Sequence, residues 1–187
     1  MNIHEIFNGI AFVSNLGIYG YTIWLVCNGE RQSFAAWIMW SVLDGITAYS
    51  IYKQDGNWIL AALCGASALI VSVILLIKRL FLWGSSEWLA LSLVLACSVI
   101  RYFGTDYVST IAACLSMGLA SIPQMTDSYM NPSRGCRNLY SAYLVCCLLG
   151  LFAGKEWSVG ERLFPFVGMV GCLIIVILNI RDWRAVK

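Results

Sequence analysis

Apolar runs long enough to cross a lipid bilayer follow one another along this chain of 187 residues. A membrane-spanning helix needs about 20 apolar residues. The chain is 60% hydrophobic and only 12% charged, which is more apolar surface than a soluble domain of this size can bury. Seven runs can be marked, at residues 6–27, 34–52, 58–77, 88–103, 107–129, 139–153 and 163–180. We therefore predict an all-α membrane protein with seven transmembrane helices in a lipid bilayer.

The composition argues against a nucleic-acid-binding protein, a metal protein and an enzyme. The net charge is only +2, so no nucleic-acid partner is expected. The chain has one histidine, His4, and no CxxC pair, so we expect no metal site. No nucleophile–base pair and no cofactor motif is evident, so we expect neither catalysis nor a cofactor. Six of the eight cysteines lie in apolar runs and are interpreted as small hydrophobic residues: Cys64, Cys97, Cys114, Cys146, Cys147 and Cys172.

Lys and Arg residues in the short connections predict the orientation, because cytoplasmic loops carry an excess of them. With the N-terminus outside, the inner connections hold eight of the twelve Lys and Arg residues and the outer ones hold four. We predict an integral, multi-pass protein with its N-terminus outside and its C-terminus in the cytoplasm. Five tryptophans near the ends of the runs are interpreted as an interfacial belt: Trp58 and Trp157 outside, and Trp83, Trp88 and Trp183 inside.

The fifth run contains an interruption. Pro123 and Gln124 follow a stretch rich in small residues, and Asp127 and the pair Asn131-Pro132 come after them. Proline has no backbone N–H, so a carbonyl four residues earlier loses its helical donor, and in lipid that carbonyl needs another partner. Such a break is tolerated beside a cavity or between packed helices, and helices often bend there. We predict that this run is a gating helix.

The first three runs align with the last three at a constant offset of 103 residues. A three-helix unit starts and finishes on opposite sides of the membrane, so a parallel copy needs a fourth helix that returns the chain. We predict a 3+1+3 parallel-repeat arrangement, with a first bundle at 1–80, a linker helix at 81–105 and a second bundle at 106–187. The aligned pairs include Trp37 with Tyr140, Trp40 with Tyr143, Gly20 with Pro123, and Gly65 with Gly168.

The pair Pro123-Gln124 within a three-helix repeat resembles the PQ-loop superfamily, and the chain looks like an atypical, bacterial-type member. That superfamily includes the SWEET (MtN3) sugar facilitators, cystinosin-type exporters and the KDEL receptor. The resemblance implies the 3+1+3 fold over nearly the whole chain. In the first repeat Gly20-Tyr21 stand where a second Pro-Gln pair is expected. The asparagine pair of SWEET proteins is not evident, so the resemblance does not imply sugar transport for this chain. Nicotinamide riboside (PnuC-type) carriers share the plan and are a second relative.

Asp44 is the most informative single residue. It lies about 16 Å into the second run at 1.5 Å per residue, near the bilayer midplane, where an ionisable side chain is costly and usually faces a cavity. Trp37, Trp40 and Asp44 share one helix face, and aromatic rings beside a carboxylate can bind a polar or cationic ligand. The alternative is a protonated structural acid that bonds to a neighbouring helix.

Three groups of candidate residues follow from these patterns. We predict that Asn15, Trp37, Trp40, Asp44, Tyr140 and Tyr143 bind the substrate, that Asp44 and Asp127 take part in proton coupling, and that Gly20, Pro123 and Gln124 form the gate. An interfacial ion pair with Arg134 or Arg137 is the alternative for Asp127. Tyr19 and Gln124 are further polar candidates for lining a pathway.

The sequence thus favours a carrier of a small polar solute that works by alternating access, either passive or proton-coupled. A PQ-loop-type receptor or scaffold that binds a ligand without transporting it is one alternative, and a PnuC-like vitamin or nucleoside facilitator is another. The sequence leaves the cargo open, together with the choice between a monomer and a homo-oligomer.

Overall fold

The computed structural model of the protein describes residues 2–80 and 83–180, apart from the side chains of Leu93, Cys97 and Arg101. This part of the chain folds into helices joined by short connections. The α-helices are α1 (Ile3–Cys27), α2 (Phe34–Tyr52), α3 (Ile59–Ile77), α4 (Ser85–Phe103), α5 (Asp106–Ala120), α6 (Ile122–Met130), α7 (Arg134–Ala153) and α8 (Phe164–Ile180), and a π-helix at Val159–Leu163 leads into α8. Because α5 and α6 are two halves of one pass, the chain makes seven helical passes over the described residues.

Hydroxyl side chains determine where three of these helices begin. Ser33, Thr105 and Ser133 each accept a hydrogen bond from the backbone N–H three residues later, at the starts of α2, α5 and α7. Such a cap satisfies one of the N–H groups that the first helical turn leaves without a partner. For this reason α7 begins at Arg134, in a polar stretch, and not at Leu139, where the apolar run begins.

The protein is a multi-pass helical membrane protein. Six passes are long and apolar enough to cross a membrane, and α4 contributes a shorter apolar segment, Ser85–Ile100. Large apolar side chains cover the outside of the helices; Ile77 is 75% exposed and Trp88 is 60% exposed. In water such a surface would be unfavourable, whereas in a bilayer it contacts lipid.

We call α1, α2 and α3 the first triplet, and the α5–α6 pass, α7 and α8 the second triplet. In the first triplet α3 packs against both α1 and α2, and in the second α8 packs against both α7 and the α5–α6 pass. The triplets meet where α1 packs against α7 and where α2 packs against α5. Helix α4 packs on α5, with smaller contacts to α6 and α2.

The two ends of the bundle are named here after residues that lie there. The Ser33 end contains the α1–α2 connection, the end of α6 and the start of α7, and the Gly56 end contains the α2–α3 connection and the start of α5. The predicted orientation also rests on residues outside the described part of the chain, namely Arg181, Trp183, Arg184 and Lys187. Phe81 and Leu82, at the predicted start of the linker helix, lie outside it as well.

Candidate functional site

A cavity of about 90 Å³ lies inside the bundle, between the two triplets. Both triplets contribute to its wall, which is mostly aromatic, aliphatic and sulfur-bearing. The lining residues are Asn15, Tyr19, Trp37, Trp40, Asp44, Leu60, Cys64, Ala68, Met117, Ser121, Tyr140, Tyr143, Cys146, Cys147, Phe164, Val167, Gly168, Gly171, Cys172 and Ile175. Because one water needs about 10–15 Å³ of such space, the cavity has room for several waters or a small ligand.

All six residues that the sequence predicts to bind substrate line this cavity. Four of them form an aromatic cluster on the facing sides of α2 and α7. The ring centroids of Trp37 and Trp40 are 5.4 Å apart, those of Trp40 and Tyr140 are 6.3 Å apart, and those of Tyr140 and Tyr143 are 6.1 Å apart. Both contacts of Trp40 are edge-to-face and the contact between Tyr140 and Tyr143 is tilted, and such aromatic contacts are stabilising. Whether these residues bind a substrate stays a prediction.

Asp44 brings an ionisable side chain to the cavity wall. It is only 4% exposed, and within the described part of the chain its Oδ1 atom has no hydrogen-bond partner. None of the residues that line the cavity is a Lys, Arg or His. A buried carboxylate without a partner is costly, so Asp44 is either protonated, the alternative that the sequence left open, or paired with a donor from outside the protein.

Asn15 presents a second buried acceptor. Its side chain is fully buried, and its amide nitrogen donates weak hydrogen bonds to the thiol sulfurs of Cys64, at 3.4 Å, and Cys146, at 3.6 Å. Its Oδ1 atom has no partner among the described residues. The cysteines that the sequence presented only as small hydrophobic residues therefore also orient the amide of Asn15.

Tyr143 carries a third unpaired polar atom. Its hydroxyl lies near Tyr19 and Thr22 but makes no hydrogen bond of good geometry to the described residues. The Tyr19 hydroxyl, in contrast, donates to the backbone carbonyl of Leu63 at 3.0 Å. Tyr19 is therefore held to α3, whereas the Tyr143 hydroxyl has only the nearby Tyr19 and Thr22 hydroxyls beside it.

The break between α5 and α6 lies beside the cavity. The Ser121 N–H donates to the Gly118 carbonyl, and the Met117 carbonyl accepts instead from the Ser121 hydroxyl and from the Trp40 indole N–H, both at 3.2 Å. The break therefore leaves a carbonyl that a residue of another helix satisfies, as lipid burial requires. A cavity-lining indole is thus bonded directly to the interruption.

Gln124 does not line the cavity but joins three elements at the Ser33 end. Its side chain is fully buried, its Oε1 accepts from the Ser33 N–H at 2.9 Å, and its Nε2 lies 3.6 Å from the Cys136 sulfur. Ser133 bonds there to the carboxylate of Glu30 through its hydroxyl and to Asn179 Oδ1, at 2.8 Å, through its N–H. These contacts link the two triplets at this end.

Gln32 belongs to the same end and was missed by the sequence analysis, which treated it as part of a connection. It is only 5% exposed, and its Oε1 accepts from the Trp37 indole at 3.4 Å and from the Tyr140 hydroxyl at 3.3 Å. A single amide oxygen therefore holds two cavity-lining aromatics, one from each triplet. A polar residue directly before the helix cap at Ser33 is the only sequence signal for this role.

Two other candidate residues lie away from the cavity wall. Helix α1 is continuous through Gly20, which lies on an exposed face where an added Cβ would meet nothing within 4 Å. Asp127 is half-buried on α6, and its Oδ1 accepts from the amide of Asn131 at 3.1 Å. The gating role of Gly20 and the proton-coupling role of Asp127 stay predictions.

The triplets also meet at the Gly56 end. An added Cβ on Gly56 would lie 2.9 Å from the carbonyl oxygen of Gly160, so the α2–α3 connection touches the π-helix where only glycine fits. The amide of Gln54, at the end of α2, donates to the Thr110 hydroxyl of α5 at 2.6 Å. Contacts between the triplets therefore exist on both sides of the cavity.

Comparison with protein-family models, with curated proteins and with solved structures finds no significant match to this chain.

Proposed function

We propose that this protein is a carrier that moves a small polar solute across the membrane by alternating access, with its helices arranged as a 3+1+3 parallel repeat. The observation that carries the proposal is the cavity between the two triplets, in whose wall the buried acceptor atoms of Asp44 and Asn15 have no partner among the described residues. A site between two repeats, near the middle of the membrane, is where many carriers bind their cargo.

The packing of the helices supports the repeat. In each triplet the third helix packs against the first and the second. The first helix of each triplet also packs against the second helix of the other: α1 contacts α7, and α5 contacts α2. The aligned pairs Trp37–Tyr140 and Trp40–Tyr143 line the same cavity. This pattern is expected for two copies related by an axis along the membrane normal.

The broken α5–α6 pass and the contacts at both ends support alternating access. A carrier must open one end of its cavity while the other stays closed, and a helix with an internal break can bend without losing its fold. In this protein the Ser33 end and the Gly56 end are both held by contacts between the triplets. The resemblance of Pro123-Gln124 to the PQ-loop superfamily points in the same direction.

Purified protein reconstituted into liposomes tests this function. A panel of radiolabelled amines, amino acids, nucleosides and sugars should contain at least one solute that enters with saturable kinetics, and empty liposomes should not take it up. Replacing Pro123 by Ala restores a helical N–H donor, stiffens the α5–α6 pass and should lower the initial rate of uptake while the protein still folds. Binding without any uptake would favour the receptor alternative and overturn the carrier.

A further inference from the structure

The chemistry of the cavity wall restricts what can bind there. Asp44 supplies a carboxylate that is 4% exposed, and its Oδ1 has no partner among the described residues. The wall contains no Lys, Arg or His to neutralise it. A buried carboxylate therefore needs a ligand that supplies both a positive charge and hydrogen-bond donors. A ligand with only one of the two leaves part of the cost of burying the carboxylate uncompensated.

The side-chain oxygen of Asn15, the second unpaired acceptor, further restricts the range of possible ligands. The Asn15 Oδ1 is also buried and without a partner, while the amide nitrogen of the same side chain is engaged by the thiols of Cys64 and Cys146. With the nitrogen held in this way, the oxygen is the free acceptor of the amide. A ligand that satisfies Asp44 and Asn15 together must carry N–H or O–H donors, which a quaternary ammonium lacks.

The rest of the wall suits a hydrocarbon group. Trp37, Trp40, Tyr140 and Tyr143 line it with aromatic rings, which attract cations, and aliphatic and sulfur-bearing side chains cover the remainder. The volume of about 90 Å³ limits the ligand to a few heavy atoms. We infer that the cavity takes a small primary or secondary ammonium ion with a short hydrocarbon part. This inference rests on the proposed carrier function, since it names the cargo of that same site.

Three probes of similar size separate the contributions of charge and donors. n-Butylammonium has both, butyramide has N–H donors without charge, and tetramethylammonium has charge without donors. Binding to the purified full chain in lipid nanodiscs, measured by calorimetry, should be at least about tenfold tighter for n-butylammonium than for either other probe. Equal binding of tetramethylammonium or of butyramide, or no measurable binding of n-butylammonium, would overturn the inference.

A matched pair of variants assigns the effect to the cavity. Asp44→Asn keeps the size of the side chain and removes its charge, so the preference for n-butylammonium over butyramide should fall about tenfold. Asp106→Asn removes an exposed carboxylate at the start of α5, outside the cavity, and should keep the preference. Thermal unfolding of both variants verifies that they fold. A parent-like preference in Asp44→Asn would overturn the inference.

The same probes distinguish this inference from the carrier function. Tight binding of n-butylammonium without its entry into proteoliposomes contradicts the carrier and supports the ligand class. Saturable uptake of a neutral solute, together with weak binding of n-butylammonium, supports the carrier and contradicts the ligand class.

Discussion

At the scale of single residues, α2 and α3 approach each other closely beside Asp44. Gly65 of α3 faces Asp44 and its neighbours on α2: an added Cβ would lie 3.1 Å from the Gly45 nitrogen, 3.3 Å from the Asp44 Cβ and 3.3 Å from the Ser41 carbonyl oxygen. Two of these three atoms belong to the backbone and cannot move aside alone. The absence of a side chain at Gly65 therefore determines how near Asp44 stands to α3.

We expect Gly65→Val to destabilise the protein, because the added methyl groups force α2 and α3 apart. Overpacking of this kind costs about 1–3 kcal/mol. The matched control is Gly45→Ala on the facing helix, since a Cβ there meets nothing within 4 Å. Thermal unfolding in detergent should show a lower midpoint for Gly65→Val and a midpoint at or above that of the parent for Gly45→Ala, because alanine favours a helix over glycine. Equal midpoints for the two variants would show that the helices do not cross closely at Gly65.

At the scale of helical elements, the α5–α6 pass serves two regions at once. Its break at Ser121 lies in the cavity wall, where the Met117 carbonyl accepts from Trp40. One turn further on, Gln124 bonds to the start of α2 at the Ser33 end. Because a helix transmits motion along its axis, we expect bending at the break to change the contacts at that end. The pass thus connects the cavity with one of the two ends of the bundle.

Replacing Gln124 by Leu should loosen the Ser33 end. Leucine fills a similar volume but leaves the Ser33 N–H without its acceptor, at a cost of about 1–3 kcal/mol if the group stays buried. Cys136 is 3% exposed beneath this contact, so its rate of alkylation by a maleimide should rise, as measured by mass spectrometry of the peptide that contains it.

The control for this experiment is Asn131→Ala. The amide of Asn131 is exposed and bonds to Asp127 on the same helix, so its removal should leave the reactivity of Cys136 unchanged. If Gln124→Leu and Asn131→Ala label alike, the contact between Gln124 and Ser33 does not hold this end closed.

At the scale of the whole molecule, contacts between helices place the two ends of the described chain at opposite ends of the bundle. Lys78 Nζ donates to the Cys27 carbonyl at 2.9 Å, so α1 and α3 end on the same side, and the Ser133 N–H donates to Asn179 of α8, so α8 ends on that side too. The first residues of α1 therefore lie at the opposite end of the bundle from the last residues of α8.

A tag at the N-terminus and a tag after Lys187 should accordingly be accessible from opposite sides of the membrane. The excess of Lys and Arg in the predicted inner connections further predicts that the N-terminal tag is outside. Protease protection of tagged protein in intact cells measures whether the two tags are on opposite sides and which of them is outside. If both tags are on one side, the number of passes is even and the 3+1+3 arrangement is excluded; if they are reversed, only the orientation is wrong.

The sequence by itself determined the features that depend on local physics. A run of apolar residues in lipid has to form a helix, because only a helix satisfies its own backbone within one segment. The helical period then places Trp37, Trp40 and Asp44 on one face, and this face lines the cavity. The break in the fifth pass also follows locally, since Pro123 lacks a donor wherever it lies. The apolar runs predicted the lengths of individual helices less well, because polar caps such as Ser133 extend a helix beyond its apolar run.

Only the tertiary structure decided which faces meet. It turns Gly20 to an exposed face, takes Gln124 to the Ser33 end and brings Gln32 against two cavity aromatics. It also brings the thiols of Cys64 and Cys146 to Asn15. The reason is that lipid is as apolar as the interior of the bundle, so hydrophobicity does not select the face that a membrane helix buries. That choice depends on packing between helices and on hydrogen bonds between residues far apart in the chain.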